Sequence, residues 1–595
     1  MKRYMGASEA FVQTLASRNV KNVFGIVGSA FMDPLDLFDR TRIRFISVQH
    51  EQNAVFAADG YARAKNYKEI GVAVGQNGPG ISNFVTGVAT SFWNTSPVLF
   101  ITPDVSTMSK GTGGFQEVGL GQGQLQMFDG IAKSQFDLGN ANRIAEMTAK
   151  ACDDALLLQG PVQLNIPRDM FYHTAEYDIP MNNTGNVDSR QRAAPDDIAK
   201  VSNLLLNAKN PVIVCGNGVI KSESALDVAK LAKILNCKVA TSYLHPDAFP
   251  ANHPLALGPL GYQGSKCAMS YVKEADVILA IGTRCGAFSN LPQDGIEYWP
   301  GEGDERDVIQ IDNNINSLRT TSQKYVKLQS DAKLASLDIL QQIIDDQGEK
   351  SKKKREAVES DKEWSGHVAI TDSTPGTDPA EMAPHNALFA LSSICPDDAI
   401  VTTDIGNICS WANRYLRFNS SPSFLGAGGF GSCGYAIPAA MGAKVASPER
   451  PVIAYVGDGA FGMSFNEILT LKREKIGIVI VVFNNRQWGA EKKNQVLWFG
   501  DRYVGTNLDN PDFSRIARSM GVHGVKCKNV DDIIFAMQRA LERQRDGLTT
   551  VLEVNLTREL TEPFRRDAMN LPVRHLDIYK DLTEIEESKT QQCVD

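Results

Sequence analysis

The sequence predicts an α/β protein made of three doubly wound parallel-sheet domains, and three observations support that fold class. Short apolar runs bounded by Gly, Pro or Asn recur along the 595 residues, as in strands that are buried on both faces of a parallel sheet. Amphipathic segments of helical period alternate with these runs, which is typical of βαβ units. Two polar segments divide the chain, and its length exceeds what one hydrophobic core supports.

The first predicted domain covers residues 1–180, and Ser8 is a candidate N-cap for its first helix. Glu51 directly follows a predicted strand and opens a helix, so we expect it to face the crevice at the carboxyl ends of the strands. The alternative is an acidic first-turn residue that the helix dipole favours. The predicted strands of this domain are 22–27, 43–48, 71–74, 97–102 and 161–167.

The predicted central domain covers residues 195–345, after a polar linker over 178–194. Gly216 and Gly218 lack the third glycine and the acidic partner of a dinucleotide fingerprint, so we interpret them as a structural strand-to-helix turn. The sequence leaves open whether this domain binds a nucleotide. Its predicted strands are 211–215, 275–281 and 308–312.

Residues 346–383 form a predicted charged linker between the second and third domains. The basic run Lys352–Arg355 has acidic residues on both sides. That arrangement favours a solvated segment over a site for an anionic partner.

The third predicted domain covers residues 384–595, with strands over 399–404, 451–456 and 476–483. A crossover helix over 467–473 joins the last two strands, so we expect them to be neighbours in the sheet. Asp458 and Asn485 then lie just past the carboxyl ends of adjacent strands, which is where ligands bind in open α/β sheets.

Asp458 and Asn485 offer a carboxylate and an amide oxygen, which are hard ligands. With a backbone carbonyl they make half of an octahedral Mg²⁺ site that phosphate oxygens and water can complete. Gly457-Asp458-Gly459 alone is often only a turn, and Asn484-Asn485 alone is usually a loop. Their combination, one crossover apart, predicts a site for magnesium and a diphosphate.

The two motifs together resemble the signature of thiamine diphosphate enzymes. His50-Glu-Gln-Asn-Ala, Ala57-Ala-Asp-Gly-Tyr-Ala-Arg and Asn77-Gly-Pro-Gly-x-x-Asn83 likewise resemble the pyrimidine-binding domain of that family. The resemblance implies a pyrimidine-binding first domain, a diphosphate-binding third domain, and thiamine diphosphate with Mg²⁺ as cofactors. It implies that Glu51 hydrogen-bonds the aminopyrimidine and promotes the imino tautomer that forms the thiazolium ylid.

The same resemblance assigns the remaining cofactor contacts. It implies that Asp458, the Asn485 side chain and the Gln487 carbonyl hold Mg²⁺. Family members usually place a large apolar wedge where Cys433 stands, so the wedge here is a small thiol or a neighbouring residue. The residues implied to bind the cofactor are Gly406, Asn407, Ile408, Gly431, Ser432, Cys433, Gly457, Asp458, Gly459, Ala460, Asn485 and Gln487.

Three longer stretches resemble the sulfoacetaldehyde acetyltransferases within that family. They begin at Gly113, Asn484 and Glu562 and read G-G-F-Q-E-V, N-N-R-Q-W-G-A-E-K-K-N-Q-V and E-P-F-R-R-D-A-M. The implied reaction turns sulfoacetaldehyde and phosphate into acetyl phosphate and sulfite, through the ylid and an acetyl-cofactor intermediate. It belongs to sulfonate metabolism, including taurine degradation.

This reaction requires cations that hold a sulfonate and a phosphate. For each basic candidate the alternative is a surface salt bridge. Gln116 is a candidate for positioning substrate, and its alternative is a plain loop residue. The anion-binding candidates are Arg414, Lys492, Lys493, Arg502, Arg565 and Arg566.

Two other functions stay open from the sequence. An acetolactate synthase would share Phe115-Gln116-Glu117, use pyruvate, and normally bind FAD in the central domain. A non-catalytic thiamine-fold binding protein would lose the activating glutamate or a metal ligand, whereas Glu51, Asp458 and Asn485 are all present. The family resemblance also implies a homodimer or homotetramer with active sites at subunit interfaces.

Composition excludes several other classes of partner. The net charge of −8 and a pI near 5.7 favour neither nucleic acid nor a membrane surface. We see no apolar signal segment after the first residues and no run of spanning length, so we expect a cytoplasmic protein. The ten cysteines lack C-x-x-C spacing and are interpreted as reduced thiols, and the eight histidines show no zinc pattern.

Overall fold

The computed structural model of the chain describes residues 2–119, 121–180, 190–293, 295–301, 303–318, 324–347, 382–558 and 574–582. It contains three six-stranded parallel sheets and one two-stranded antiparallel sheet. The predicted fold class, three α/β parallel-sheet domains, is confirmed. Most of the predicted linker 346–383 and much of the polar segment 178–194 lie outside the described residues.

The first sheet has the strand order β3-β2-β4-β5-β7-β6, while β1 and β8 pair separately in antiparallel fashion. The strands of these two sheets are β1 (Arg3–Gly6), β2 (Asn22–Gly25), β3 (Arg44–Ser47), β4 (Gly71–Val74), β5 (Val98–Asp104), β6 (Ser134–Asp137), β7 (Val162–Pro167) and β8 (Thr174–Tyr177). The helices of the first domain are α1 (Ala7–Ser17), α2 (Met32–Asp36), α3 (Phe38–Thr41), α4 (Glu51–Ala64), α5 (Pro79–Ser82), α6 (Val85–Asn94), α7 (Gly123–Gln126) and α8 (Ile144–Leu158).

The central sheet has the order β11-β10-β9-β12-β13-β14. Its strands are β9 (Pro211–Cys215), β10 (Lys238–Thr241), β11 (Ala256–Pro259), β12 (Val277–Ile281), β13 (Asp307–Asp312) and β14 (Tyr325–Gln329). Its helices are α9 (Pro195–Asn207), α10 (Asn217–Lys221), α11 (Ala225–Leu235), α12 (Lys266–Glu274) and α13 (Ala332–Gln347).

The third sheet has the order β16-β15-β17-β18-β20-β19. Its strands are β15 (Ile400–Thr403), β16 (Phe424–Gly426), β17 (Val452–Gly457), β18 (Val479–Asn484), β19 (His523–Cys527) and β20 (Thr550–Asn555). Its helices are α14 (Pro384–Ile394), α15 (Asn407–Tyr415), α16 (Ala436–Ala446), α17 (Asp458–Ser464), α18 (Glu467–Glu474), α19 (Gly489–Phe499), α20 (Phe513–Ser519) and α21 (Val530–Arg545).

Counted along the chain, the first and third sheets have the same strand order, 2-1-3-4-6-5, whereas the central sheet has the order 3-2-1-4-5-6. In each sheet the order reverses beside the first strand, and the loops after the two strands at that point leave in opposite directions. A crevice therefore opens at the carboxyl edge of each sheet. In the third sheet it lies between the ends of β15 and β17.

The first and third domains pack against each other through α4 and α16. Both helices are rich in alanine and glycine, so their backbones approach closely. A Cβ on Gly442 would lie 1.8 Å from the Ala57 carbonyl oxygen, and one on Gly60 would lie 2.2 Å from the Ala439 carbonyl oxygen. Only glycine fits at these two positions, and the contact fixes α4 relative to the third sheet.

Two further properties of the described residues bear on the predictions. Their nine cysteines are all free thiols, and six of the nine are buried. Within the described part of the chain, no helix is both long enough and apolar enough to span a bilayer.

Candidate active site

The switch point of the third sheet holds the first group of predicted cofactor residues. Gly406 follows β15 with a φ of 102°, and nothing lies within 4 Å of where its Cβ would be. Asn407 opens α15 and is buried, as is Ile408. The open backbone at Gly406, at the start of a helix, is suited to an anionic group such as a diphosphate.

Asp458 lies on the other side of this crevice, directly after β17, and is only 4% exposed. Its carboxylate accepts hydrogen bonds from the Gly459 backbone at 3.0 Å and from Asn510 Nδ2 at 2.8 Å. Backbone N–H groups of Arg486 and Gln487 also donate to it. Burial nevertheless raises the pKa of the Asp458 carboxyl to about 6. A divalent cation would offset that desolvation cost.

Asn485 follows β18, which pairs in parallel with β17, so the predicted adjacency of the two strands is confirmed. Its side chain converges with two other predicted cofactor residues around Gly489. A Cβ on Gly489 would lie 2.9 Å from Asn407 Nδ2, 3.6 Å from Asn485 Nδ2 and 3.8 Å from Gln487 Nε2. The ends of β15 and β18 therefore contribute to one site.

The glycine-rich loop between β16 and α16 carries the next predicted contacts. Gly431 has a φ of 77°, and Ser432 is buried with its hydroxyl 2.5 Å from that of Thr90 in α6. Cys433 is half-buried against apolar side chains, and burial raises the pKa of its thiol to about 12. The thiol stays protonated at neutral pH and acts as a small apolar filler.

The carboxylate of Asp404 ties this loop to the end of β15. Asp404 accepts hydrogen bonds from the backbone N–H groups of Tyr435 at 2.8 Å and Ala436 at 3.3 Å. Its complete burial raises its pKa to about 7. The loop and the Gly406 segment are thus held together from within the third domain.

The first domain contributes Glu51 at the start of α4. Asn83 Nδ2 donates to Glu51 Oε2 at 2.9 Å, and a Cβ on Gly80 would lie 3.2 Å from Oε1. Glu51 is half-buried beside these two residues of α5 and its C-terminal end. The second carboxylate oxygen faces backbone without a bulky side chain.

Gln116 lies in the loop after β5 and joins the strand-end amides of the first domain. Its φ is 65°, a left-handed conformation that is uncommon for a residue with a side chain. Gln76 Nε2 donates to Gln116 Oε1 at 2.9 Å, and Asn77 Nδ2 donates to the Gln116 carbonyl at 3.2 Å. Gln116 is therefore anchored at the carboxyl edge of β4.

Among the basic candidates, Lys492 is connected to the cofactor residues. Its Nζ donates to Gln487 Oε1 at 3.2 Å and to Asn507 Oδ1 at 2.9 Å. Burial and the nearby Arg558 guanidinium lower the pKa of Lys492. Two cations at this edge of the site are suited to an anionic ligand.

The other basic candidates are less closely connected to it. Arg414 is in the last turn of α15, about 10 Å along the axis from Asn407. Arg502 donates to the Leu582 carbonyl at 3.2 Å. Lys493 lies on α19 beside Lys492. Arg565 and Arg566 lie outside the described residues.

Sequence reasoning missed Asn510, and it gave no role to Trp488, although Trp488 stood in the quoted stretch that begins at Asn484. Asn510 Nδ2 donates to both Asp458 Oδ2 and, at 3.0 Å, Asn484 Oδ1. The ring of Trp488 covers Gly459, whose Cβ would lie 2.6 Å from it. No local pattern marks Asn510, because the chain returns to the strand ends only after α19. Asn83, in contrast, stood in the quoted Asn77–Asn83 motif.

The sequence that carries these strand-end groups matches a known protein family. Three protein-family models described as the N-terminal, central and C-terminal domains of thiamine pyrophosphate enzymes match residues 5–127, 198–343 and 404–554. The chain belongs to the thiamine pyrophosphate enzyme family, as its motifs predicted, and it is an enzyme of that family. The match also supports thiamine diphosphate as its cofactor.

Within this family, relatives named sulfoacetaldehyde acetyltransferase are similar over nearly the whole chain. The one from Alcaligenes xylosoxydans xylosoxydans is 44% identical and covers 97% of each chain. The one from Rhodobacter capsulatus is 40% identical over 96% of this chain and 97% of the relative. The second resemblance drawn from the sequence is thereby confirmed.

Two further proteins are similar to the chain at lower sequence identity. A probable acetolactate synthase large subunit from Methanocaldococcus jannaschii is 32% identical over 90% of each chain. The crystal structure of benzoylformate decarboxylase from Polynucleobacter necessarius superposes with a TM-score of 0.78 at 22% identity, covering 94% of this chain and all of that one. This last match establishes the fold alone.

The residues present fit thiamine diphosphate and a divalent cation. Asp458 is a buried carboxylate with a raised pKa, and amide groups of Asn485 and Gln487 lie beside the same crevice. No group of three or more His, Cys, Asp or Glu side chains in the described residues is arranged as a metal site. A site of one carboxylate with amide and carbonyl oxygens does not require such a group, and oxygen ligands are those that Mg²⁺ prefers.

Proposed function

We propose that this enzyme is a sulfoacetaldehyde acetyltransferase, an acyltransferase that converts sulfoacetaldehyde and phosphate into acetyl phosphate and sulfite. The observation that carries the proposal is the 39–44% identity to five relatives of that name, one of them named probable, over 96–97% of this chain. The relative named probable acetolactate synthase is less similar, at 32%. The proposed enzyme would belong to sulfonate metabolism.

The third domain would bind the cofactor's diphosphate. Asp458, the Asn485 side chain and the Gln487 carbonyl are the proposed Mg²⁺ ligands, and the Gly406 segment would contact the phosphate oxygens. The buried Asp458 supports this role, because a carboxylate with several N–H donors is fixed in position for a metal. When bound, thiamine diphosphate supplies a carbon nucleophile and an electron sink for the substrate's developing carbanion.

The glycine-rich loop is the proposed seat of the aminopyrimidine, through Gly431, Ser432 and Cys433. The hydroxyl of Ser432 in this loop contacts the hydroxyl of Thr90, which belongs to the first domain. Cys433 is too small for the usual wedge, and Met463 is a neighbouring apolar candidate. A Cβ on Gly434 would lie 3.2 Å from Met463 Cβ.

Glu51 is the proposed group that exchanges a proton with the aminopyrimidine. Asn83 engages Oε2. Oε1, which faces the backbone at Gly80, is therefore the oxygen available to the ring. A carboxyl group at this position acts as a general acid and base, the role that carboxyl groups commonly take in enzymes.

Substrate anions would be held near the cofactor by cations and amides. Lys492 is the proposed principal cation, because its Nζ contacts Gln487 and because Arg558 adds a second positive charge. Gln116 is the proposed positioning group for the aldehyde. Both groups can hold charge or dipoles where negative charge develops in the reaction.

We propose a homodimer or homotetramer in which the first domain of one subunit faces the third domain of another. Exposed apolar side chains support this proposal. Met108 and Phe115, in the loop beside Gln116, are 89% and 88% exposed, and Val27 and Met32 are about half exposed. Apolar groups gathered at the carboxyl edge of the first sheet are typical of a surface that a partner covers.

The function is tested by supplying the purified enzyme with thiamine diphosphate, Mg²⁺ and sulfoacetaldehyde, with and without phosphate. We expect equal amounts of sulfite and acetyl phosphate, formed only when phosphate is present. Pyruvate is the control substrate and should give no acetolactate. Acetolactate from pyruvate without sulfite from sulfoacetaldehyde, particularly from a yellow, flavin-containing preparation, would contradict the proposal.

A further inference from the structure

Glu467 is a buried carboxylate whose contacts lead to the segment that carries Glu51. It is the first residue of α18 in the third domain and has no exposed surface. Its Oε1 accepts hydrogen bonds from the Gln49 backbone at 2.9 Å and from Asn53 Nδ2 at 2.8 Å. The backbone of His50 also donates to it, and Thr470 Oγ1 donates to Oε2 at 2.8 Å.

Further contacts from α18 reach the same stretch of the first domain, residues 44–53. Arg44 donates to the Glu474 carbonyl at 2.8 Å and to its carboxylate at 3.0 Å. Gln49 Nε2 donates to Thr470 Oγ1 at 3.3 Å. Arg473 donates to the Ser47 carbonyl. The turn from β3 into α4 is therefore held from outside its own domain.

Glu51 lies in the middle of this held segment. Residues 49, 50 and 53 bond to Glu467, whereas the Glu51 side chain bonds to Asn83. Glu467 accepts from the backbone N–H groups of the two residues before α4 and from one side chain in its first turn, so it fixes the start of the helix on both sides of Glu51. Glu467 thus fixes the backbone from which Glu51 projects and leaves the Glu51 carboxylate available.

We propose that Glu467 is a positioning residue for Glu51: it holds the start of α4 so that the Glu51 carboxylate is in register with the cofactor. This inference rests on the proposed role of Glu51. Misplacing a reacting group by about 1 Å costs on the order of 100-fold in rate, and supporting contacts typically account for 10- to 100-fold. The substitution Glu467→Ala should therefore impair Glu51 without removing it.

Asp247 provides a matched control for the loss of a buried carboxylate between domains. It lies in the central domain, is buried, and accepts hydrogen bonds from the backbone of Ser423 at 2.8 Å and Phe424 at 3.1 Å in the third domain. Asp247→Ala removes a comparable interdomain clamp without touching residues 44–53. Any effect common to both variants reflects stability alone.

The first readout uses the enzyme without cofactor. Hydrogen–deuterium exchange of the peptide covering residues 44–53 should be faster in Glu467→Ala than in wild type by about tenfold or more, because two backbone N–H groups lose their acceptor. Asp247→Ala should leave this peptide unchanged. Unchanged protection in Glu467→Ala, or equal loss in both variants, would overturn the proposal.

The second readout is the rate at which the thiazolium C2 proton of bound thiamine diphosphate exchanges with deuterium, measured by quenching and NMR. We expect Glu467→Ala to slow this exchange about 10- to 100-fold while the cofactor Kd stays unchanged. Glu467→Gln, which keeps one acceptor oxygen and serves if the alanine variant fails to fold, should slow it less. Wild-type exchange in both variants would overturn the proposal.

A double-mutant cycle separates positioning from a general structural effect. If Glu467 acts through Glu51, the double variant Glu51→Gln/Glu467→Ala should exchange no more slowly than Glu51→Gln alone. Additive losses would overturn the inference. Slow exchange in Glu51→Gln with normal exchange in Glu467→Ala overturns the inference alone. Normal exchange in Glu51→Gln overturns the proposed role of Glu51 itself, and the inference with it.

Discussion

The first and third sheets share one strand order but place their acidic residues differently. In the first, Glu51 follows the strand that is second along the chain, whereas in the third Asp458 follows the third strand. The equivalent of β17 in the first sheet, β4, leads to the amides Gln76 and Asn77. The equivalent of β3 in the third sheet, β16, leads into the glycine-rich loop. The same scaffold thus offers different chemistry at each strand end.

The two acids also differ in their surroundings. Asp458 is almost fully buried and accepts hydrogen bonds from backbone groups and from Asn510, so it is fixed in position, as its proposed role as a metal ligand requires. Glu51 is half-buried with Asn83 as the hydrogen-bond partner of its Oε2. A carboxylate with several fixed donors is held in one orientation, whereas one with a single side-chain donor keeps an oxygen for another partner. The two carboxylates thus differ in their donors, in line with the roles of metal ligand and acid–base group that we propose for them.

The largest expected effect comes from Glu51→Gln, which removes the proposed acid–base group of the pair. The amide cannot exchange a proton with the cofactor, so sulfite formation should fall about 100- to 10,000-fold. Cofactor affinity, measured by calorimetry, should be unchanged. Glu69→Gln, elsewhere in the first domain, is the control and should keep wild-type turnover. Wild-type turnover in Glu51→Gln would show that Glu51 does not exchange the proton with the cofactor.

Asp458→Ala should instead weaken binding of the cofactor. Without the carboxylate, the Mg²⁺-dependent part of cofactor affinity should be lost, and Kd should rise by at least about 100-fold, since even outer-shell contacts contribute 10- to 100-fold. Titration calorimetry with and without Mg²⁺ measures this. Equal Mg²⁺ dependence in the variant and the wild type would contradict the assignment of Asp458 as a metal ligand.

Asn510→Ala tests whether the hydrogen-bond donors around Asp458 contribute to Mg²⁺ binding. The variant removes the amide that bridges Asp458 and Asn484 but keeps every proposed ligand. We expect the Mg²⁺ concentration needed for half-maximal activity to rise about tenfold. An Mg²⁺ titration that superposes on that of the wild type would show that Asn510 is dispensable there.

The smallest effect is expected from Thr90→Val, which removes the hydroxyl contact between the first domain and Ser432. Losing one buried hydrogen bond costs about 1 kcal/mol, or roughly fivefold in cofactor affinity. Calorimetry should detect this change while kcat at saturating cofactor is preserved. A larger loss of kcat than of affinity would mean that the loop does more than bind the cofactor.

The sequence predicted most of the interior strands because their apolar runs are uninterrupted. β4, β9, β17 and β18 follow this rule. Of the six edge strands of the parallel sheets, β3 was predicted, whereas β6, β11, β14, β16 and β19 were missed. β6, β14 and β19 mix polar with apolar residues, because an edge strand is exposed on one side. β11 and β16 are only four and three residues long. β10 and β20 were missed although they lie inside their sheets. β10 has only four residues and begins with Lys238, and the buried Glu553 interrupts the apolar run of β20.

The site was predictable where its chemistry is local in sequence. Gly457-Asp458-Gly459 and Asn484-Asn485 mark their own strand ends, and the structure brings them to one crevice. Asn510 and Glu467 carry no local signature, because their roles arise only when distant segments pack together. The roles of the basic candidates stay predictions, since hydrogen bonds alone do not distinguish an anion site from a structural contact.

The central claim is that Glu51 of one subunit and Asp458 of another serve the same reaction, and complementation tests it most directly. Glu51→Gln and Asp458→Ala chains, each inactive alone, are co-expressed with different tags, and sulfite formation is measured on the mixed oligomer. Each mixed dimer isolated through both tags has one intact site of two, so about half of wild-type specific activity should return. Activity no higher than that of either variant alone would contradict the claim.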